Sequence, residues 1–492
     1  MNTDTRKQAD TRQAISDILR ENDRRNEVIF ASCNPVTGKG SIGERVRVEI
    51  TDFAIPVQWI PVEMMQIPFI AKLVAAGSID AFLTGILGVE AGDADRTKVS
   101  RLFIRLRYKH DFPFWAATLV YIHNKDAGRD VLFRLWYPQR ILVSRFEARR
   151  KAGLPIRLIL LKARQWGGST TTQLYMAWLQ FMHRRGLNSL IIAHQGAASD
   201  EIKDMFELMI DRYPVEFLHE MGAAWSENEP KFIGVGKSGS THRVPQRGCK
   251  IKVGTAERPN GCRGGAYSLV HLSEVGLWQK TEGKSPEDIV RSACSGILAR
   301  PYTMIVMEST ANGTGNFFHA EYTAAADPQV DSQFEALFIA WFQIPHYSLP
   351  FASADELRTF ALRLWENRDN PNVTSNREES GRYLWSLWEK GATLEAIHWY
   401  IYERAGKNDF AVMASEYPSD DVEAFVHSGT MVFDRYLVKR LEKYCRPPRF
   451  TGEVYADADE GEEALSNLRF RDDHQRQLAI WAKPETCNDC EV

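Results

Sequence analysis

Residues 158–173 read LILLKARQWGGSTTTQ, and this stretch decides the fold class that the sequence predicts. An apolar run from Leu158 to Leu161 leads into two glycines, and hydroxyl residues then open a segment with helical periodicity. Strand, glycine turn and helix follow in the order of a phosphate-binding loop, because backbone N–H groups and a helix N-terminus can bind an anion. The loop departs from the motif G-x-x-x-x-G-K-[ST] at one place, since Gly168 stands where the lysine belongs.

The positive charge that such a loop needs has two candidate sources, Lys162 at its entrance and Arg164 two residues later. Ser169 is the candidate ligand of the Mg²⁺ that bridges two phosphates, because a loop serine or threonine has this role. An ordinary strand-to-helix turn with two tolerated glycines is the alternative for this stretch taken by itself. The Gly-Lys-Ser sequence at 236–238 has no apolar strand before it and no helix after it, so we interpret it as a hairpin tip.

Short apolar runs alternate with amphipathic segments after the loop. The predicted strands are residues 187–194, 266–274, 302–310 and 336–342, and the predicted helices are residues 169–186 and 199–214. This alternation predicts an α/β domain with a mainly parallel central sheet flanked by helices. Ligands of such sheets bind beyond the carboxyl ends of the strands, where these apolar runs end in polar residues.

A second candidate site supports the phosphate-loop interpretation. The apolar strand in SLVHLSEV (268–275) ends in Ser273 and Glu274, where nucleotide hydrolases usually carry an aspartate followed by a glutamate. The aspartate orients Mg²⁺ and the glutamate polarises the attacking water, so we expect Glu274 to be the general base. Ser273 replaces the aspartate, which weakens the expected ordering of the metal.

The composition of the whole chain limits the function classes. The chain has 492 residues, of which 44% are apolar and 25% are charged, and its formal net charge is −3. These values are ordinary for a globular protein of more than one domain, and the charge argues against a surface built for permanent nucleic-acid binding. The N-terminus lacks the apolar core of a signal peptide. Prolines and charges interrupt the apolar stretch 55–89, so we expect it to pack in a core or against a partner.

The cysteines indicate a reducing compartment, because the seven are scattered and odd in number. Cys487 and Cys490 have the spacing of metal ligands but lack a second pair nearby, so the sequence does not decide whether they bind metal.

Five segments together resemble the large terminase subunit of tailed bacteriophages, the ATP-driven motor that packages DNA into the capsid. They are LWYPQR (135–140), KARQWGGST (162–170), VHLSEVGLW (270–278), MESTANGTGNFF (307–318) and SEYPSDDVEAFVHSG (415–429). The resemblance runs from about residue 108 to about residue 485, and we find none in residues 1–100.

The resemblance implies an ASCE-type P-loop NTPase that uses ATP and Mg²⁺ to translocate double-stranded viral DNA into a procapsid. The expected organisation is a mostly helical accessory region of unknown role at residues 1–100, the ATPase domain at residues 101–430, and a linker or lid segment at residues 431–492.

The resemblance also assigns roles to residues around the loop. In that family a glutamine before the loop recognises adenine, and Gln139 matches it. Variant loops of the family carry a lysine at the entrance, so Lys162 is the expected phosphate ligand, and Arg164 matches the catalytic arginine that senses or bridges the γ-phosphate. The other expected ATP contacts are Gln165, Gly167, Gly168, Ser169 and Thr170, and the expected metal ligands are Ser169 and Glu274.

Two further roles follow from the resemblance. Thr310 and Asn312 resemble the coupling motif that links phosphate release to movement, although a plain glycine turn is the alternative. Arg263 lies in the loop before the Glu274 strand and is the candidate arginine that acts on the nucleotide of a neighbouring subunit.

The implied partners are double-stranded DNA, the portal protein of the procapsid, the small terminase subunit and further copies of this chain in a ring on the portal. The implied location is the host cytoplasm, without a membrane. Two other functions stay open. A helicase-type nucleic-acid translocase shares the order of the motifs, and the missing loop lysine favours a non-hydrolysing assembly protein.

Terminases also have a ribonuclease H-like nuclease domain, and we expect no nuclease activity from this chain. A two-metal nuclease needs carboxylates from several strands, and few residues follow the last matching segment near residue 485. The acidic run 457–463 has no strand framework around it, so we interpret it as a solvated loop.

Overall fold

The chain divides into two compact units, Met1–Gly429 and Thr430–Val492. The computed structural model describes residues 3–124, 127–234, 240–258, 265–280, 285–373, 378–406, 410–426, 448–456, 468–472 and 478–480.

Helices and strands alternate along most of the first unit. Its strands are β1 (Arg45–Glu49), β2 (Val57–Pro61), β3 (Tyr121–Asn124), β4 (Arg129–Leu132), β5 (Ile156–Lys162), β6 (Ser189–Ala193), β7 (Ile233–Gly234), β8 (Thr241–Val244), β9 (Cys249–Thr255), β10 (Leu269–Ser273), β11 (Met304–Ser309) and β12 (Glu335–Ile339). Its α-helices are α1 (Thr3–Phe30), α2 (Pro68–Ala76), α3 (Ile79–Ala81), α4 (Asp93–His110), α5 (Phe112–Leu119), α6 (Tyr137–Lys151), α7 (Gly168–Trp178), α8 (Gly196–Arg212), α9 (Pro286–Cys294), α10 (Phe317–Ala326), α11 (Ala354–Glu366), α12 (Gly381–Glu389), α13 (Leu394–Ala405), α14 (Phe410–Glu416) and α15 (Asp421–Val426).

The central sheet has eight described strands in the order β12-β5-β11-β10-β6-β9-β8-β7. Neighbouring strands from β12 to β9 are parallel, and β8 and β7 add an antiparallel edge. A mainly parallel sheet flanked by helices confirms the fold class that the alternating pattern predicts. The strand order also brings β5, β11 and β10 side by side, so their carboxyl ends meet at one edge.

Two apolar cores cover the opposite faces of this sheet. Successive side chains of a strand point to opposite faces, and β5 is buried at every position because both faces are covered. Leu158 and Leu160 belong to the first core, with Leu174 of α7, whereas Ile159 and Leu161 belong to the second core, which the helices α9 and α10 cover.

The stretch 55–89 contributes to a third core, which has Ile60, Ile70 and Phe82 among its buried members and lies beside the β1–β2 hairpin. In the described part of the chain, no single helix is long and apolar enough to span a membrane. One pair of helical segments, Pro68–Ala76 and Ile79–Leu87, is together long and apolar enough to span, but the pair bends by 113° at the break between them.

The helix α1 is joined to the C-terminal helices of the same unit. The buried side chain of Asn22 donates to Glu395 Oε2 over 3.1 Å and accepts from the backbone N–H of Leu394 over 2.7 Å. This helix therefore caps the N-terminus of α13.

The second unit contains a small antiparallel sheet in its described residues. β13 (Phe450–Tyr455) lies between β14 (Arg469–Asp472) and β15 (Leu478–Ile480) and pairs with both.

Candidate active site

The loop between β5 and α7 turns sharply back onto the sheet. Gln165 (φ 62°) and Gly167 (φ 74°) have the left-handed backbone that such a turn requires. The Trp166 side chain is buried, and its ring lies so close to Gly168 that an added Cβ would come within 2.7 Å of it. A lysine at position 168 would therefore have to displace the tryptophan ring.

Polar side chains from three adjacent strands lie on the face of the sheet that α7 covers. Lys162 of β5 has the same strand parity as Leu158 and Leu160 of the first core. On β10 and β11, Ser273 and Glu308 likewise share parity with first-core residues, and they are register partners. The polar residues that end these strands thus lie together beneath the N-terminus of α7.

The ammonium of Lys162 contacts two carboxylates and is buried. Its Nζ lies 2.7 Å from Glu274 Oε1 and 3.4 Å from Glu308 Oε2. Burial by itself would lower the pKa of Lys162, but the two carboxylates outweigh that effect and raise the pKa above its ordinary value. Lys162 is therefore a cation throughout the physiological pH range.

Glu308 is a site residue that the sequence analysis missed. Its carboxylate is fully buried, and its Oε1 accepts hydrogen bonds from the hydroxyls of Ser169 and of Ser273, the latter over 3.0 Å. His271 Nε2 lies 3.3 Å from the same oxygen. Burial alone would raise the pKa of Glu308, but Lys162 and these neighbours hold it below its usual range.

A signal for Glu308 exists in the sequence. Like the other predicted strands, the run MIVMES ends in polar residues, and Glu308 immediately precedes the Ser-Thr of the candidate coupling segment. Its partner in β10 could not be found from this pattern, because the pairing of β10 with β11 joins residues distant in sequence.

The carboxylate of Glu274 connects the lysine to the candidate coupling segment. Glu274 has a left-handed backbone (φ 55°), which is strained for a residue with a side chain. Its Oε2 accepts a hydrogen bond from the backbone N–H of Thr310 over 3.2 Å, and Asn312 Nδ2 donates to the carbonyl of Gly276 over 2.9 Å. The segment 310–312 therefore contacts the loop that carries Glu274.

Gln139, near the start of α6, joins that helix to the loop between β5 and α7. Its Nε2 donates to the carbonyl of Trp166 over 3.0 Å, and its Oε1 accepts from the backbone N–H of Trp136 over 2.9 Å. A primary amide can make two further hydrogen bonds, one as donor and one as acceptor.

A cavity of about 1310 Å³ lies beside this amide. Its lining includes Gln139, Trp136 and Thr170, together with the strands β3 and β4. The size is sufficient for a nucleotide base and ribose, since ligand sites usually enclose about 300–1,000 Å³.

Of the remaining predicted residues, one lies on the surface of the loop and several lie outside the described residues. Arg164 is exposed, and its carbonyl accepts a hydrogen bond from the Tyr347 hydroxyl over 3.1 Å. The Gly-Lys-Ser segment lies between β7 and β8, which pair antiparallel. Arg263, Cys487, Cys490, the acidic run 457–463 and the Gly-Lys-Ser residues themselves are outside the described residues.

Comparisons with known proteins give similarity to solved structures. No protein-family model matches the chain, and no curated protein matches it. The ATPase domain of the large terminase of Thermus phage P74-26 aligns at 18% identity and TM-score 0.26, over 43% of this chain and 82% of that one. The large terminase of bacteriophage HK97 aligns at 12% identity and TM-score 0.36, over 56% of this chain and 57% of that one.

A third solved structure, the Phi-28 DNA packaging motor, aligns at 12% identity and TM-score 0.24, over 48% of this chain and 65% of that one. These three structures are, by name, two large terminases and one DNA packaging motor.

Proposed function

We propose that this chain is the ATPase motor of a large terminase subunit, which drives double-stranded viral DNA into a procapsid. The observation that supports ATP hydrolysis is the cluster of Lys162, Ser169, Glu274 and Glu308 at the carboxyl ends of adjacent parallel strands. The five terminase-like segments of the sequence support DNA packaging as the use of that energy.

ATP binds with its phosphates over the N-terminus of α7 and its base in the neighbouring cavity. The backbone N–H groups of the loop and the helix N-terminus favour the anion. Lys162 supplies the positive charge when its ammonium leaves the two carboxylates for the phosphates. Gln139 offers its remaining donor and acceptor to adenine, a pairing that suits the edge of this base.

The residues at the site fit Mg²⁺ in their chemistry. Mg²⁺ prefers oxygen ligands, usually one or two protein groups together with phosphates and water, and the Ser169 hydroxyl and the nearby carboxylates are such groups. In the described part of the chain, no three His, Cys, Asp or Glu side chains are grouped as a metal site. When bound with ATP, Mg²⁺ supplies neutralisation of the charge on the β- and γ-phosphates.

Glu274 acts as the general base and also reports to the coupling segment. Once Lys162 binds phosphate, the Glu274 oxygen that it contacts becomes free to orient a water toward the γ-phosphate. The other oxygen accepts from Thr310, so loss of the phosphate changes the position of the segment 310–312 through this hydrogen bond.

The partners in this proposal are double-stranded DNA, the portal protein, the small terminase subunit and further copies of the chain in a ring, in the host cytoplasm. Arg263 is the proposed arginine that acts across the ring. Residues 149–157, RRKAGLPIR, form a basic cluster of a kind that can contact DNA phosphates. This cluster is an unsuitable DNA contact, because Arg149, Arg150 and Lys151 pair with Glu335, Glu147 and Glu63.

The test follows movement along duplex DNA by the full chain. We expect ATP-dependent displacement of a third strand from a triplex, without separation of the duplex strands. Unwinding of a forked duplex would instead support a helicase-type translocase. Failure to hydrolyse ATP would favour the non-hydrolysing assembly protein, and hydrolysis without displacement of the third strand would contradict translocation along the duplex.

A further inference from the structure

Glu308 occupies a position that compensates for the acid missing at Ser273. The two residues are register partners on adjacent parallel strands, and the Ser273 hydroxyl donates to the Glu308 carboxylate over 3.0 Å. Both side chains point toward α7. The carboxylate that a nucleotide hydrolase needs beside its loop hydroxyl is therefore present, one strand away from the usual place.

The contacts of Glu308 are directed toward the phosphate loop. Ser169, the candidate magnesium ligand of the loop, donates its hydroxyl hydrogen bond to Glu308 Oε1. The second oxygen, Oε2, has no hydrogen-bond partner among the described residues and lies 3.4 Å from Lys162 Nζ. Oε1 thus contacts the Ser169 hydroxyl, and Oε2 faces the ammonium of Lys162. In the proposed function this ammonium moves to the phosphates when ATP binds.

The charge balance of the cluster leaves room for a second cation. In the described part of the chain, Lys162 is the lysine or arginine that forms ion pairs with Glu274 and Glu308. The two carboxylates face this one ammonium and the imidazole of His271, whose Nε2 lies 3.3 Å from Glu308 Oε1. A buried carboxylate without a compensating cation is costly, so transfer of Lys162 to the phosphates favours entry of another cation.

Glu274 is poorly directed for that role. Its Oε1 contacts Lys162, its Oε2 accepts from the backbone N–H of Thr310, and the Ser169 hydroxyl bonds to Glu308 instead. The residue that Ser169 contacts through its hydroxyl is thus Glu308, one strand away from Glu274.

We propose that Glu308, together with Ser169, holds the Mg²⁺ that accompanies ATP, in place of the aspartate absent at position 273. The inference deepens the proposed function and rests on it. The two glutamates then have separate roles. Glu308 binds the metal, and Glu274 orients the attacking water.

A purely structural role for Glu308 makes a different prediction. If Glu308 only neutralises Lys162, its removal alters stability and nucleotide binding equally with and without metal. If Glu308 holds the metal, its removal weakens metal binding and leaves metal-free nucleotide binding nearly unchanged.

The experiment measures Mn²⁺ binding to the full chain by electron paramagnetic resonance, in the presence of a non-hydrolysable ATP analogue. Glu308→Gln should raise the Mn²⁺ Kd about 10–100-fold, the usual effect of losing a group that supports a metal ligand. Affinity for the analogue in EDTA should stay within about twofold, which is about 0.4 kcal/mol. Glu335→Gln, a strand glutamate paired with Arg149 outside the site, is the matched control and should leave both values unchanged.

Two more variants keep the test decisive. Glu308→Asp keeps the charge beside Lys162 but retracts the oxygens, so it should also weaken Mn²⁺ binding, and it serves if Glu308→Gln fails to fold. Adding Ser273→Asp to Glu308→Gln should restore Mn²⁺ binding, because it returns a carboxylate to the usual strand. Unchanged Mn²⁺ affinity in Glu308→Gln and Glu308→Asp, or equal losses in EDTA, would overturn the inference. A wild-type chain that binds no analogue under either condition would overturn the proposed function itself.

Discussion

Gly168 is the residue at which the loop departs from the usual phosphate loop, and the structure gives a steric reason. The buried ring of Trp166 fills the space that a side chain at position 168 would need. A cation can reach the same region from the end of β5, where Lys162 lies. Trp166 thus excludes a side chain at position 168, and in the proposed function Lys162 supplies the positive charge from the preceding strand instead.

Gly168→Ala should destabilise the protein by about 1–3 kcal/mol, because the new methyl group overpacks against Trp166. Gly196→Ala is the matched control, since Gly196 is likewise the first residue of a helix and has open space around its Cβ position. Chemical denaturation should give a change within about 0.5 kcal/mol for the control. Equal effects of the two substitutions would contradict the steric account.

Lys162→Met should weaken nucleotide binding at least about tenfold, since a hydrogen bond to a charged group is worth roughly 1.5–3 kcal/mol. Lys237→Met, in the decoy Gly-Lys-Ser, should leave the affinity unchanged. Fluorescence titration with a labelled ATP analogue measures both. If Lys237 proves to be the essential lysine, the assignment of the loop is wrong.

Loss of Lys162 also leaves two carboxylates without their cation, so the variant needs a control for stability. The double variant Lys162→Met with Glu308→Gln removes one of those charges and should be more stable than Lys162→Met alone. Titrating nucleotide into both variants separates the effect on binding from the effect on folding.

At the scale of the elements, the strands beneath the site could be predicted because strands buried on both faces read as continuous apolar runs. β6, β10 and β11 fall within predicted strands, and β5 extends the apolar run 158–161 by two residues at its start and one at its end. The short strands β1, β3 and β4 have no such runs and were not predicted, and β2 lies in the apolar stretch 55–89, for which no strand was predicted. The sequence pattern also could not predict which strands are neighbours in the sheet. The adjacency of β5, β11 and β10 depends on contacts between segments that are distant in sequence.

The residues of the candidate site differ in the same way. Local sequence patterns indicate some of them, and others depend on contacts between distant segments. The sequence indicates three of them because they lie at the ends of elements with a clear apolar pattern. Lys162 ends β5, Ser169 lies at the start of α7, and Glu274 follows β10. Glu308 gains its importance from its register with Ser273 and its contact with Ser169, which only the packed sheet provides.

Gln139 joins the helix α6 to the loop between β5 and α7, and in the proposed function it should affect base selectivity. Gln139→Ala should reduce the preference for ATP over GTP by about tenfold or more, because an amide pairing with a base is worth roughly 1–3 kcal/mol of discrimination. Competition binding of the two nucleotides measures the preference.

Gln343→Ala is the matched control for Gln139. Gln343 also occupies the third position of a helical turn and accepts from its cap N–H over 2.9 Å, outside the cavity. It should leave the preference for ATP unchanged. If Gln139→Ala weakens ATP and GTP binding equally, Gln139 positions the loop without reading the base.

At the scale of the whole molecule, the proposed function couples ATP hydrolysis at the strand ends to movement of DNA by the same chain. The cluster of Lys162, Glu274 and Glu308 lies within the larger unit, at the edge where the parallel strands end. The central claim is that this edge hydrolyses ATP, with Glu274 as the general base.

The most direct test is steady-state ATP turnover by the full chain with double-stranded DNA, compared with Glu274→Gln. Loss of a general base typically costs about 10²–10⁴-fold in rate, so turnover should fall by at least about a hundredfold while affinity for a non-hydrolysable analogue is retained. Comparable turnover in Glu274→Gln, or hydrolysis by neither protein, would contradict the account.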